Sequence, residues 1–396
     1  MEQKDMDRVQ EIVSELAPDL KELTLKIHDN PELGNQEHKA CRWQMELLQK
    51  YGFETSDNFC DIPTAYKAVY KGKKPGPKIA MLAEYDALPE LGHGCGHNLI
   101  AMISVGSGIA MREFADEYGG EIHVIGTPAE ETAGAKVEMS AKGAFKEYDV
   151  AMMAHPFEEN GSSINTLAMS CRLYEFFGKT AHAAAAPHEG INALDAVINF
   201  FNLVNALRQQ TKPDARIHGI IKKGGEAPNV IPDYTSALFY IRANKAAYVD
   251  ELMNKIEACA KGAALGTGTT VKISEAEADF KDTDSNIYLS ELACQQYEKL
   301  GHQIAHLGKE ILPGSSDLGD VSYECPAIQL MCGMGPMPDG SHYGAHTKEF
   351  VEKACSEEAI NNGLEFVKAF TMTAIELMTD PSHLKTIKEE FAKVAQ

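Results

Sequence analysis

Four short apolar runs constrain the fold of this chain more than any other feature. They occupy residues 78–85 (KIAMLAEY), 121–127 (EIHVIGT), 149–154 (DVAMMA) and 327–331 (AIQLM). Amphipathic stretches separate the first three, including residues 97–118, whose apolar spacing is typical of a long helix. Buried strands that alternate with helices predict an α/β fold with a mostly parallel sheet and helices on both faces.

Residues that can bind metal ions lie at the ends of these runs or after them, where parallel strands open onto one crevice. They are Glu84, Asp86, His93, Cys95, His97, Glu130, Glu131, His155, His342 and His346. Thiolate, imidazole and carboxylate groups together suit zinc, and the nitrogen and oxygen donors also admit manganese or cobalt. Two alternatives stay open for Cys95: a buried inert thiol, or a nucleophile with His97 as its base.

The composition excludes several classes of protein. The 396 residues contain 37 Lys and Arg against 58 Asp and Glu, and a net charge of −21 argues against nucleic acid and anionic membranes as partners. The N-terminal decapeptide MEQKDMDRVQ has no apolar segment behind it, and no apolar stretch reaches the length of a bilayer crossing. The nine scattered cysteines form no disulfide framework. We therefore expect a cytoplasmic protein with reduced thiols.

The middle third differs from the rest. Residues 167–178 and 234–243 are β-rich, whereas residues 191–210 and 246–265 are helical. We expect a catalytic domain in two parts, 1–166 and 280–396, interrupted by an α+β domain at 167–279. We also expect a hairpin loop at KGKKPGPK (71–78), a short helix from about residue 132, and one C-terminal helix over 348–379.

Six segments, taken in order, resemble the dinuclear-metal aminoacylase and carboxypeptidase family. They are IHDNPELGNQE, AEYDALPELGHGCGHN, TPAEETAGAK, GKTAHAAAAPHEGINALDA, EAPNVIP and GSSDLGDVSY. Within that family the chain is most similar to the p-aminobenzoyl-glutamate hydrolase branch and its dipeptidase relatives. The resemblance implies a zinc-aminopeptidase-like catalytic domain with an inserted dimerisation or lid domain.

The resemblance also implies a role for particular residues. The metal ligands would be Cys95, His97, Glu131, His155 and His346, with His342 as the alternative last ligand. They would hold two divalent ions, zinc or manganese, with cobalt or nickel as substitutes. Glu130 matches the general base, and Asp86 matches the carboxylate that orients a metal-bound histidine.

Three further residues match positions in the family's lid domain. His182 resembles a histidine that polarises the scissile carbonyl, usually across a dimer interface, and Asn229 and Arg242 resemble residues near the substrate. An arginine is suited to bind a substrate carboxylate through two parallel hydrogen bonds. We therefore expect a homodimer that forms through the lid.

Three departures from the family pattern bear on the substrate. Asn98 and Glu84 stand where relatives often have Asp, and Ser316 replaces a Glu. The expected activity is metal-dependent hydrolysis of the amide bond of a small N-acyl or N-aroyl amino acid similar to p-aminobenzoyl-glutamate. A dipeptidase with the same residues is the first alternative, and a non-catalytic binding relative the second. A nucleotide-binding protein fits poorly, because LGHGCGHN and VGSGIA lack the spacing of a phosphate-binding loop.

Overall fold

The computed structural model describes residues 2–393. The helices are α1 Gln3–His28, α2 His38–Lys50, α3 His97–Tyr118, α4 Ala135–Ala141, α5 Ala193–Leu207, α6 Ala246–Thr267, α7 Ile287–Lys299, α8 Leu318–Ser322, α9 Lys348–Ala354, α10 Glu357–Thr379 and α11 Pro381–Phe391. The strands are β1 Glu54–Asp57, β2 Tyr66–Lys71, β3 Lys78–Ala83, β4 Glu121–Gly126, β5 Val150–Phe157, β6 Asn165–Thr166, β7 Ala168–Phe177, β8 Arg216–Lys223, β9 Tyr234–Ala243, β10 Thr270–Phe280, β11 Ile311–Leu312 and β12 Ala327–Gly333.

Within residues 2–393, the first of two compact units comprises residues 2–165, 283–312 and 316–393, and contains a six-stranded sheet in the order β1-β2-β4-β3-β5-β12. Strands β4, β3, β5 and β12 are parallel, whereas β2 is antiparallel to both β1 and β4. The mostly parallel α/β sheet predicted from the apolar runs is therefore present. The carboxyl ends of its four parallel strands lie along one edge.

Both faces of the parallel strands are buried, which explains why these strands are mostly apolar. In β3, Ile79 and Met81 face a core built with α1, α3, α7 and α10, whereas Ala80 and Leu82 face a second core against Phe145 and the short helices. Successive side chains of a strand point to opposite faces, so a strand covered on both sides has few polar positions.

Two local predictions in this unit were wrong, and one was right with a shifted start. The 71–78 segment is not a hairpin loop, because β4 lies between β2 and β3. The short helix expected from about residue 132 is present and begins at Ala135, after Gly134 adopts a left-handed conformation. The C-terminal helix is interrupted: Ser356 accepts a hydrogen bond from the Ala359 amide and begins a new helix. The structure also contains α11, which the sequence did not predict.

The second unit comprises residues 166–282 and 313–315. Its antiparallel sheet has the order β10-β7-β9-β8, and α5 and α6 pack on it around Tyr174, Phe200 and Phe239. The sequence missed β8 and β10 because much of each strand is exposed, so neither shows an apolar run. The insert expected at 167–279 lies within this unit. Among the helices of residues 2–393, none has the length and apolar character that a membrane crossing requires.

Candidate metal centre

The residues after β3 hold the N-terminus of α3 in place. Asp86, which is buried, accepts a hydrogen bond from His97 Nδ1 at 2.9 Å and one from the Glu131 amide at 3.0 Å. His97 is the first residue of α3 and is fully buried. Because Nδ1 donates to Asp86, the other ring nitrogen, Nε2, is left to face the centre of the site.

Gly96 lets the chain turn sharply between Cys95 and His97. Its φ is +73°, and a Cβ built on it would lie 2.8 Å from Cγ of Pro156. A side chain at this position would therefore be strained by its backbone and would clash with β5. The turn places Cys95 Sγ 3.5 Å from His346 Nε2.

The two adjacent glutamates follow β4, and the backbone between them and the strand is tightly held. Ala129 has a φ of +58°, and its amide donates to the Glu37 side chain at 2.8 Å. Glu131 Oε1 lies 3.4 Å from His346 Nε2 and 4.0 Å from His97 Nε2. Glu130 is partly exposed.

His155 lies inside β5 rather than after it, one residue position beyond the expected strand end. Its ring is 5.8 Å from that of His97 and nearly perpendicular to it. Nδ1 lies 2.9 Å from the Pro156 carbonyl oxygen, which orients the ring. A hydrogen bond to one ring nitrogen leaves the other available for a metal ion.

His346 and His342 have different surroundings. His346 has a φ of +66°, and its amide donates to the Gly94 carbonyl at 2.9 Å, which brings its ring to Cys95 and Glu131. His342 has an 86% exposed side chain and contacts Glu158 at 2.7 Å. The structure therefore brings His346, not His342, to the other candidate ligands.

Three overlapping groups of side chains have ligand atoms close enough to share an ion. They are Cys95, His97 and His155; Cys95, Glu131 and His346; and His97, Glu130 and Glu131, with all ligand atoms of a group within 4.8 Å of one another. His97 Nε2 and Glu131 Oε1 are buried and have no hydrogen-bond partner in the described part of the chain. Buried polar atoms without partners are costly, so this donor set fits divalent ions.

The electrostatics separate the roles of the two glutamates. Burial and the charges of Glu84, Glu131 and Asp317 raise the pKa of Glu130 well above its usual value. Burial opposes ionisation of Glu131 too, but the close contact with His346 and the charge of His97 outweigh it and lower its pKa. Adjacent carboxyl groups with opposite pKa shifts are typical of a base next to a ligand.

The thiol of Cys95 is poorly suited to act as a nucleophile. Burial raises its pKa well above the usual value for a cysteine. A catalytic cysteine needs a lowered pKa, because the thiolate is the reactive form. A metal ion would instead deprotonate this thiol on binding.

The sequence reasoning missed one part of the site. Lys136, on α4, is fully buried and contacts Glu84 at 2.7 Å and Asp317 at 2.5 Å. A lysine near the start of a short helix normally indicates a solvated position. The only sequence signals were the acidic residues at 84 and 317, in motifs far apart along the chain.

The three predicted lid residues lie in the second unit. His182 and Asn229 are neighbours: the Ala183 amide donates to the Asn229 carbonyl at 3.0 Å, and His182 is exposed. Arg242 is near the other end of β9, where Nη1 donates to Ser315 at 3.1 Å. Its buried Nε has no partner among residues 2–393.

Comparisons with known proteins agree with this architecture. A family model described as the peptidase dimerisation domain matches residues 166–267. The Xaa-Arg dipeptidase of Mus musculus is 36% identical, over 97% of this chain and 91% of its own length. That of Homo sapiens is 34% identical over the same shares. A p-aminobenzoyl-glutamate hydrolase polypeptide of Escherichia coli K12 is 28% identical, over 93% of this chain and 91% of its own length.

Solved structures show the same fold. A dinuclear metal-binding peptidase of the M20 family from Bacillus subtilis superimposes with a TM-score of 0.68 at 19% identity, over 92% of this chain and 99% of that one. The aminobenzoyl-glutamate utilization protein of Klebsiella pneumoniae gives 0.70 at 16% identity, over 93% and 98%. Together with the curated relatives, they show that this chain is a metallopeptidase-type hydrolase and belongs to the M20 peptidase family.

Proposed function

We propose that this enzyme cleaves the amide bond of a small N-acyl or N-aroyl amino acid or of a dipeptide, and releases a free amino acid. The observation that carries the proposal is the position of Glu130. It lies beside a set of sulfur, nitrogen and oxygen ligands, is partly exposed, and has a raised pKa. A carboxylate in this position can accept a proton from a reacting group and pass it on.

Cys95, His97, Glu131, His155 and His346 would hold two divalent ions, zinc or manganese. When bound, such ions lower the pKa of water and polarise a carbonyl oxygen. Glu130 would accept the proton of the attacking water and pass it to the leaving amine, so one carboxyl group serves first as base and then as acid. Asp86 would keep His97 and Glu131 oriented throughout.

The second unit would supply the contacts to the substrate. His182 Nδ1 accepts from the Ala184 and Ala185 amides at 3.3 and 3.2 Å, so its proton is on Nε2. That N–H can donate to the oxyanion that forms during hydrolysis. Arg242 would bind the substrate carboxylate through its guanidinium.

His182 and Arg242 would reach one substrate only if two copies of the chain contribute. Asn229, beside His182, precedes β9, and Arg242 is its penultimate residue. The eight residue steps from Tyr234 to Arg242 span about 26 Å of extended strand, longer than a dipeptide. We therefore propose a homodimer in which His182 and Asn229 act at the partner's metal centre.

The edge strand β8 is the proposed dimer contact. It has no neighbour on one side within the sheet and carries Ile220, which is 60% exposed. An apolar unpaired edge favours pairing with another chain. Sedimentation equilibrium should show a dimer for the wild type and a monomer with little activity for Ile220→Asp. Leu265→Asp, at an 85% exposed position of the same unit, is the control. An active Ile220→Asp monomer would reject this arrangement.

Identity to the two Xaa-Arg dipeptidases favours a dipeptide, whereas the p-aminobenzoyl-glutamate relative favours an aroyl amino acid. The deciding experiment is a panel of Xaa-Arg dipeptides, p-aminobenzoyl-glutamate, hippurate and N-acetyl amino acids. Each is tested after chelation and again after adding zinc or manganese. We expect hydrolysis that chelation abolishes and metal restores. Activity that survives chelation would instead support a thiol enzyme, and binding without hydrolysis a non-catalytic relative.

A further inference from the structure

A buried ion-pair cluster lies next to the metal centre but is not part of its predicted ligands. Lys136 Nζ is 2.7 Å from Glu84 Oε1 and 2.5 Å from Asp317 Oδ1. The Lys136 amide also donates to Asp317 Oδ2 at 3.1 Å. All three side chains are at most 1% exposed. They come from the end of β3, from α4 and from the residue before α8, so the cluster joins three separate segments.

The stability of the fold does not by itself explain a buried cluster of this kind. Removing charges from water is unfavourable, and well-packed apolar residues in their place would often be at least as stable. Burial by itself would lower the pKa of Lys136, but Asp317 and Glu84 raise it, so the ammonium stays charged. The single positive charge of Lys136 lies against two carboxylates, those of Glu84 and Asp317. It contacts Oε1 of Glu84, so it does not neutralise the second oxygen, Oε2.

That oxygen points at the metal-facing nitrogen of His97. Glu84 Oε2 lies 3.5 Å from His97 Nε2, and neither atom has a hydrogen-bond partner in residues 2–393. His97 Nδ1 donates to Asp86, so Nε2 of the neutral ring is an acceptor, like the carboxylate oxygen. Two buried acceptor atoms at this distance repel each other unless a cation lies between them. A proton can serve in the metal-free protein, and a divalent ion would replace it.

We propose that Glu84 is a further oxygen donor to the divalent ion at His97, and that Lys136, anchored by Asp317, is the positioning residue that holds Glu84 there. The inference rests on the proposed metal centre. It adds one carboxylate to the five ligands that the family resemblance implies. An extra oxygen donor favours an ion that accepts more than four ligands, such as Mn²⁺, over tetrahedral Zn²⁺.

The test is metal binding, measured without substrate. Wild type, Glu84→Gln, Lys136→Met and the double variant are stripped with chelator and titrated with Mn²⁺ and Zn²⁺, and the visible spectrum of each Co²⁺ form is recorded. We expect Glu84→Gln to weaken Mn²⁺ binding by about 10- to 100-fold, and Zn²⁺ binding by less. Its Co²⁺ bands should become stronger, because loss of a ligand lowers the coordination number. Lys136→Met should change both readouts in the same direction.

The controls separate positioning from folding. Lys142→Met removes a partly exposed lysine at the end of the same helix and should leave the affinities and spectrum unchanged. The double variant removes both charges of the Glu84–Lys136 pair, so it should fold even if Lys136→Met does not, and its spectrum should match that of Glu84→Gln. A Glu84→Gln protein with wild-type affinities and spectrum would overturn the proposal. An altered Glu84→Gln beside an unaltered Lys136→Met would reject the role of Lys136.

Failure of this inference is distinguishable from failure of the proposed function. If the wild type binds two ions but hydrolyses no substrate of the panel, the proposed function is wrong and the metal titration still decides the role of Glu84. If the wild type hydrolyses amides and Glu84→Gln binds metal normally, only the present inference is wrong.

Discussion

The carboxylate of Asp86 accepts a hydrogen bond from His97 Nδ1 at 2.9 Å. Its second oxygen accepts from the amide of Glu131 at 3.0 Å. One buried carboxylate thus orients two candidate metal ligands that come from different elements. Because Asp86 directly follows β3, this arrangement depends on the parallel pairing of β3 with β4.

Asp86→Asn should weaken metal binding without unfolding the protein. Loss of the charge weakens the acceptor that fixes the ring of His97, and such changes typically reduce metal affinity about 10- to 100-fold. Metal titration of the stripped protein measures the effect. Asp149→Asn, which removes a carboxylate bound to Lys78 and Lys388 elsewhere in the same unit, should leave the affinity unchanged. Equal affinities for wild type and Asp86→Asn would exclude this role.

Glu130→Gln should nearly abolish turnover and keep the metal. The amide cannot accept the proton of water, and loss of a general base typically costs about 10²- to 10⁴-fold in rate. Metal content by mass spectrometry and kcat on the best substrate of the panel give the two readouts. Glu131→Gln is the matched comparison and should lose metal as well as activity. Normal turnover by Glu130→Gln would remove Glu130 from its role.

His346→Asn should lose metal, whereas His342→Asn should retain it. Asn tolerates the left-handed backbone conformation at position 346, so the exchange tests the imidazole rather than the fold. His342 pairs with Glu158 and is largely exposed. Metal-to-protein ratios after dialysis separate the two variants. The reverse result would make His342 the last ligand.

The raised pKa of Glu37 predicts that the stability of the metal-free protein depends on pH. Burial, followed by the charge of Asp86, raises the pKa of Glu37 from 4.5 to about 7. The folded state therefore binds this proton more tightly than the unfolded state does. The contribution of this proton to the free energy of unfolding is fully present below pH 4.5. It is lost as the pH rises through 7, and the loss is about 3 kcal/mol at most.

Glu37→Gln should remove that part of the decline, since Gln is neutral and can still accept the hydrogen bond from Ala129. Urea unfolding at pH 5 and pH 8 measures the difference in the free energy of unfolding. Glu46→Gln, at an exposed position of the helix that Glu37 precedes, is the control and should behave as the wild type. A Glu37→Gln protein whose stability falls as steeply between these pH values would contradict the assignment.

The sequence by itself determined the α/β class and the segments that carry the candidate ligands. Runs such as residues 78–85 are apolar at almost every position because both faces of a parallel strand are covered. Such burial can therefore be recognised in the sequence alone. Motifs such as Cys95-Gly96-His97 are local too, since one glycine with a left-handed backbone suffices to form the turn.

Only the tertiary structure decided which distant groups meet. The placement of β4 between β2 and β3, the choice of His346 over His342, and the burial of Lys136 between Glu84 and Asp317 all depend on contacts between segments far apart in sequence. Local periodicity records whether a residue is buried or exposed. It does not record the partner, because pairing energies arise only when the sheet brings the ends of its strands together.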